Sequence, residues 1–127
     1  MLDVTARDDT AVSESASFER AIDLVHLARM TFGDRSLERE VLQLFDRQAS
    51  ILMAKVREGS RGAIGALAHT LKGSARGIGA DRVASAAEAV ERASASGSDG
   101  DLQTAVDRLA AAAAEARGVI AELLQAA

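Results

Sequence analysis

His69 is followed at three, four and seven residues by Lys72, Gly73 and Arg76, and preceded at four and seven by Gly65 and Gly62. On an α-helix these spacings return to one side of the axis within a turn or two, so all five residues would surround one imidazole. A neutral imidazole offers a nitrogen lone pair, and an exposed ring with an ordinary pKa near 6.5 is roughly three-quarters neutral at pH 7. It is then a nucleophile that needs no dedicated base. Lys72 and Arg76 would offset the charge of a phosphoryl group carried on the ring. The glycines are costly, since each one inside a helix costs about 1 kcal/mol relative to alanine. Function could justify that cost: bare backbone around one ring lets another protein come close, as in-line phosphoryl transfer between two protein side chains requires.

The segment from Arg61 to Ile78 positions this constellation if it is helical. At 100° per residue, Ile64, Leu67, Leu71, Ala75 and Ile78 lie within about 40° of one direction, whereas His69 points about 140° away from it. The stripe faces a core and His69 faces solvent, with Gly79 ending the helix. The spacing predicts four further helices. The first is capped by Ser17 and stopped by Gly33, with Phe18, Ile22, Val25 and Phe32 on its apolar side. The second is capped by Ser36, runs to about Glu58, and turns Leu37, Val41, Leu44, Phe45, Ile51 and Leu52 inward. The fourth runs from Asp81 to about Ser96 and buries Val83, Ala87, Val90 and Ser94. The last shows a bundle seam in Leu102, Val106, Leu109, Ala113, Ala116, Ile120 and Leu123.

Residues 96–101 (SGSDGD) read as a loop and residues 1–16 as a flexible N-terminal tail, which leaves 17–127 as one domain. Short connections imply antiparallel neighbours. The expected fold is all-α, an antiparallel up-down four-helix bundle with an additional N-terminal helix packed across it. If the third and fourth helices form a hairpin turning near Ala80, residues equidistant from Ala80 lie level with one another. His69 and Glu91 are such a pair, and so are Lys72 and Glu88. Glu91 is therefore expected to accept a hydrogen bond from Nδ1 of His69, fixing the tautomer and leaving Nε2 toward solvent.

Composition narrows the field. The 127 residues contain no proline or cysteine and only 2% aromatic residues, a mixture dominated by strong helix formers. Without cysteine there is neither a disulfide framework nor a thiolate metal site, and His26 and His69 have no carboxylates at ligand spacing. A net charge of -4 with arginines scattered among acids argues against nucleic acid as a partner. No apolar run is long enough to span a membrane, and the N-terminus lacks the pattern of a signal peptide, so a cytoplasmic location is expected. His26 sits at the edge of an apolar stripe with no motif around it.

The stretch His69-Thr-Leu-Lys-Gly-Ser-Ala-Arg-Gly-Ile-Gly-Ala80 resembles the signature of histidine-containing phosphotransfer (HPt) domains, broadly H-x-L-K-G-S/A followed by small residues ending in G-A/L. Residues 22–45, IDLVHLARMTFGDRSLEREVLQLF, are similar to that family's opening, in which a D-L-x-x-L helix leads through G-D into a long helix. The resemblance implies that His69 is the phosphorylated residue, Lys72 the neighbouring cation, Gly73 the contact glycine and Gly79 the turn to the next helix. In some members a glutamate at the offset of Glu91 accepts a hydrogen bond from the ring. Arg76, Gly62 and Gly65 are added here from the helical wheel as partner-facing residues. The resemblance further implies a phosphocarrier without kinase activity of its own, which takes a phosphoryl group from a receiver-domain aspartate and passes it to another receiver in a multistep phosphorelay. The implied partners are response-regulator receiver domains and a hybrid sensor kinase. The chain is expected to act as a monomer, to bring no cofactor, and to rely on Mg²⁺ supplied by the receiver.

Two other readings compete. The phosphoacceptor region of a sensor kinase is also helical, yet its histidine is usually followed directly by Glu or Asp, whereas Thr70 follows here. A helical interaction module or phosphate sink would use the same surface without relay. Enzymes acting on nucleotides are disfavoured, because the chain has no G-x-x-x-x-G-K-[ST] loop and Gly77-Ile-Gly79 lacks the third glycine of a dinucleotide fingerprint.

Overall fold

The computed structural model describes residues 21–126, and these form five helices with no strand. They are α1 (Leu24–Met30), α2 (Arg35–Glu58), α3 (Arg61–Ile78), α4 (Asp81–Ser96) and α5 (Asp99–Ala126). The expected tail, the Ser17 cap and Phe18 lie outside the described residues.

Four of the five helices start where a side chain can satisfy their first free amides, whereas α4 follows Ala80 with no side-chain cap. Asp23 caps α1 by accepting from the His26 backbone N–H at 3.0 Å, and Asp34 caps α2 by accepting from Leu37 N–H at 3.1 Å. The expected cap of α2 is thus corrected. Ile22 and Asp23 stand outside α1, and Ser36 lies inside α2 because Asp34, two residues earlier, already supplies the acceptor. Ser60 caps α3. The expected loop at 96–101 shrinks to Gly97 and Ser98, since Asp99, Gly100 and Asp101 form the first turn of α5. Ser98 and Asp101 bond reciprocally there, Asp101 N–H to Ser98 Oγ at 3.0 Å and Ser98 N–H to Asp101 Oδ2 at 3.1 Å.

The four long helices touch in order, α2 on α3, α3 on α4, α4 on α5, and α5 back on α2, while α1 rests on α3. Contacts rising along one helix and falling along its neighbour make the pairs antiparallel: Arg39 of α2 reaches the Leu124 carbonyl at 2.8 Å and Asp46 meets Arg117 of α5 at 2.8 Å. The core enclosed by these helices includes Phe45, Val56, Leu71, Val83, Val90, Leu109 and Ile120.

The apolar faces of the last three helices lie where the spacing puts them, though Ser94 is only half-buried and bonds its hydroxyl to the Glu91 carbonyl. Those of the first two helices differ. In α2 the buried residues are Leu42, Phe45, Ala49, Leu52, Met53 and Val56, whereas Leu44 and Ile51 are more than half exposed. Near α1, Ile22 and Leu27 are buried while Val25 and Phe32 are exposed. Phe32 and Gly33 both have positive φ, so the chain reverses there and carries the Phe32 ring outward.

Candidate functional site

His69 sits mid-way along α3 with its side chain 70% exposed. Its helix is fixed at both ends. At the start, Arg61 donates from Nη1 to the carbonyls of Ala93, Ser94 and Gly97 and from Nη2 to Asp99, which ties α3 to the free carbonyls at the end of α4. At the finish, Gly79 has φ +82°, the left-handed geometry that closes a helix, and its N–H bonds back into α3. A Cβ on Gly79 would stand 3.0 Å from both Cβ and the carbonyl oxygen of Asp23. Asp23 uses that closeness to donate its N–H to the Gly79 carbonyl at 2.8 Å. His26 adds a second tie, donating from Nε2 to the Gly77 carbonyl at 3.0 Å. This role for His26 was not legible in the sequence, where no motif surrounds it.

Across the α3–α4 hairpin, Glu91 lies level with His69, and its Oε2 is 2.9 Å from Nδ1 of the ring. A carboxylate accepts, so Nδ1 carries the proton and Nε2 presents its lone pair to solvent. The other oxygen of Glu91, Oε1, is shut off from solvent and meets Lys72 Nζ at 2.6 Å. Lys72 is only 15% exposed along its side chain. The Lys72 ammonium beside it, and after that the hydrogen bond to His69, hold the Glu91 carboxyl below its ordinary value of 4.5 despite the opposing effect of burial. Lys72 is therefore turned under Glu91, and the level pairing of Lys72 with Glu88 is not made. Glu88 instead stands 3.9 Å from Arg76, which is mostly exposed on the His69 side.

The glycines separate into two kinds. A Cβ placed on Gly62 or Gly73 would meet nothing within 4 Å, and the same holds for Gly77, so no packing demand explains these residues. Gly65 is different, because a Cβ there would collide with the Ser94 hydroxyl of α4. The expectation that Gly65 faces a partner is corrected: it lets α3 and α4 approach closely. On the other flank of α3, α2 turns Leu37, Leu44 and Ile51 outward, on the side opposite Arg39 and Asp46, which face α5. Among the described residues, no group of three or more His, Cys, Asp or Glu side chains is placed to hold a metal.

The family model of the Hpt domain matches residues 35–126. The chain belongs to the Hpt domain family. The match supports phosphotransfer in two-component signalling, and His69 lies on α3, within the matched residues. Among solved structures, a rice protein described as a candidate histidine-containing phosphotransfer protein matches with a TM-score of 0.76. That match covers 98% of this chain and 95% of the rice chain at 19% sequence identity, which supports the Hpt fold alone. A search of curated proteins finds no match. Among the described residues of this Hpt domain, no helix is long and apolar enough to cross a membrane.

Proposed function

We propose that this Hpt domain is a phosphocarrier of a multistep phosphorelay that accepts a phosphoryl group on Nε2 of His69 from a receiver-domain aspartate and hands it to another receiver. The observation that carries this reading is the His69–Glu91 bond, which keeps Nδ1 protonated and aims the Nε2 lone pair at open solvent. In the forward step the lone pair forms the N–P bond as the P–O bond to the aspartate breaks and its carboxylate leaves. Nδ1 keeps its proton throughout. When the phosphoryl group moves on, the ring departs as neutral imidazole, a good leaving group, so one side chain serves both directions.

The surroundings fit an encounter with a protein. Gly62, Gly73 and Gly77 offer bare backbone on the helix that carries the ring, and Leu44 and Ile51 are exposed apolar residues on α2, which packs against that helix. Arg76 stands ready to meet negative charge. The chain has no kinase activity of its own in this proposal. Magnesium belongs to the receiver's side of the encounter. A hybrid sensor kinase would supply the phosphoryl group, and the protein would work as a cytoplasmic monomer folded as an up-down four-helix bundle with α1 across it.

Incubation with a phosphorylated receiver domain tests the reading. The chain should gain label at His69 and return it to a second, unphosphorylated receiver. Labelling without return would make it a phosphate sink, and no labelling at all would leave a helical interaction module.

A further inference from the structure

The seam between α2 and α5 is not filled. Two cavities follow it one after the other, of about 250 and 550 Å³, and they share Arg57 and Ala110 as common walls. The cause is residue size: the narrower stretch is walled by Ala49, Ser50 and Ala54 from α2 and by Ala110, Ala113 and Ala114 from α5, with Met53 buried at its floor. Side chains this short leave a furrow between two helices where protein interiors are otherwise close-packed. The furrow is also remote from His69, which points outward from α3, and α3 packs on α2 and α4. We propose that this furrow is a second docking surface, one that takes an acidic amphipathic helix of a partner protein while His69 stays free. The inference does not depend on the phosphorelay reading.

The charges at the furrow select its occupant. Among the described residues, the charged side chains lining the narrower cavity are Arg57 and Arg117, and no carboxylate lines it. Arg57 is exposed and enters no ion pair among those residues, while Arg117 bonds Asp46 through Nε alone. The wider cavity is balanced differently, since Arg61 is paired with Asp99 there and Asp107 accepts from Gln103. Free positive charge therefore lies along the narrower stretch. Because Asp46 meets Arg117 across an antiparallel pair, Arg57 stands level with Val106 of α5, which sets the two guanidiniums about eleven residues, or roughly 16 Å, apart along the furrow. Residues eleven apart on a helix return to the same face after three turns. A helix with carboxylates at that spacing and small apolar residues between them would meet both arginines in charge-assisted bonds and lay its apolar face on Met53 and the alanines. Alanine walls also let a third helix approach more closely than larger side chains would.

The test uses the full ¹⁵N-labelled chain and a synthetic helix-forming peptide of about 18 residues, with two glutamates about eleven positions apart on one face and alanine and leucine between them. A second peptide carries lysine in place of both glutamates. The acidic peptide should bind with amide shift changes confined to α2 between Ala49 and Arg57 and to α5 between Val106 and Arg117, leaving His69 unmoved. Arg57→Glu should weaken the acidic peptide by about tenfold and favour the lysine peptide instead. Arg57 is exposed, so this variant keeps the fold. Ala114→Leu, which narrows the furrow from an exposed position, should also weaken the acidic peptide and gives an independent check. Absence of binding at millimolar peptide, equal affinity of the parent chain for both peptides, or shifts centred on Leu44, Ile51 and His69 would overturn the proposal. Two other occupants would overturn it as well. A two-chain mass in solution that Arg57→Glu returns to one chain would identify a second copy, and nuclear Overhauser contacts between the Met53 methyl group and the Phe18 ring would identify the N-terminal segment of the same chain.

Discussion

Nδ1 of His69 and Oε2 of Glu91 lie 2.9 Å apart although 22 residues separate them along the chain. The α3–α4 hairpin brings them level, and from that contact follows which nitrogen of the ring faces solvent.

His69 is expected to be the sole phosphoacceptor, because the other histidine is occupied in holding α1 to the end of α3. His69→Gln should abolish labelling by a phosphorylated receiver while the helical circular-dichroism signal stays as in the parent chain. Residual labelling in that variant, or loss of labelling only in His26→Gln, would contradict the assignment.

Gly73 should separate stability from access. With nothing within 4 Å of an added Cβ, Gly73→Ala should stabilise the fold by up to about 1 kcal/mol, as read by urea unfolding. Gly73→Gln should fold equally well and yet transfer at least about tenfold more slowly, since a long side chain one turn from the ring obstructs a protein partner. Transfer at the parent rate would rule out steric access as the reason for this glycine.

Glu91 gives the pH dependence a definite sign. Its carboxyl is held below the ordinary value of 4.5 in the folded chain, so its contribution to stability is fully present above that value and is lost as pH falls through the depressed folded value. The stability difference between the parent chain and Glu91→Gln should be constant from neutrality down to about pH 5 and should vanish at lower pH. Chemical denaturation at a series of pH values checks this, and a difference that instead grows on acidification would assign the wrong sign.

Arg61 holds the other end of the hairpin. Its bonds to three carbonyls at the end of α4 and to Asp99 should make Arg61→Ala less stable by about 1–2 kcal/mol, with hydrogen exchange rising first in the last turn of α4. Transfer chemistry at His69 should be unaffected at temperatures where the variant stays folded.

Much of this was legible in the sequence where a local rule has one solution. The stripe from Ile64 to Ile78 fixes the rotation of α3, and with it the exposure of His69. The turn at Gly79 sets the reflection that pairs His69 with Glu91. Elsewhere a rule had two solutions. Asp34 and Ser36 are both competent caps, and only the backbone geometry selects Asp34. The apolar residues of α2 spread over two faces, one for the core and one open beside α3, and periodicity alone cannot say which is covered. A helical wheel gives the angle of a glycine about its own axis but not the distance to the next helix. Gly62, Gly65 and Gly73 therefore looked alike until Ser94 was seen against Gly65. The same blindness hid the inward turn of Lys72 and the bond of His26.

The four glycines of α3 also bear on how the chain reaches its working form. At about 1 kcal/mol each relative to alanine, they put roughly 4 kcal/mol against this helix standing alone. Leu71, Ala75 and Ile78 can recover that cost only when buried in the core, with α3 packed on α2 and α4. A peptide of α3, or a chain cut within α4, should therefore be largely unstructured around His69. His69 and the carboxylate that meets its ring come together in a single cooperative step, so a partly folded or proteolysed copy presents a histidine without the geometry on which the proposed transfer depends.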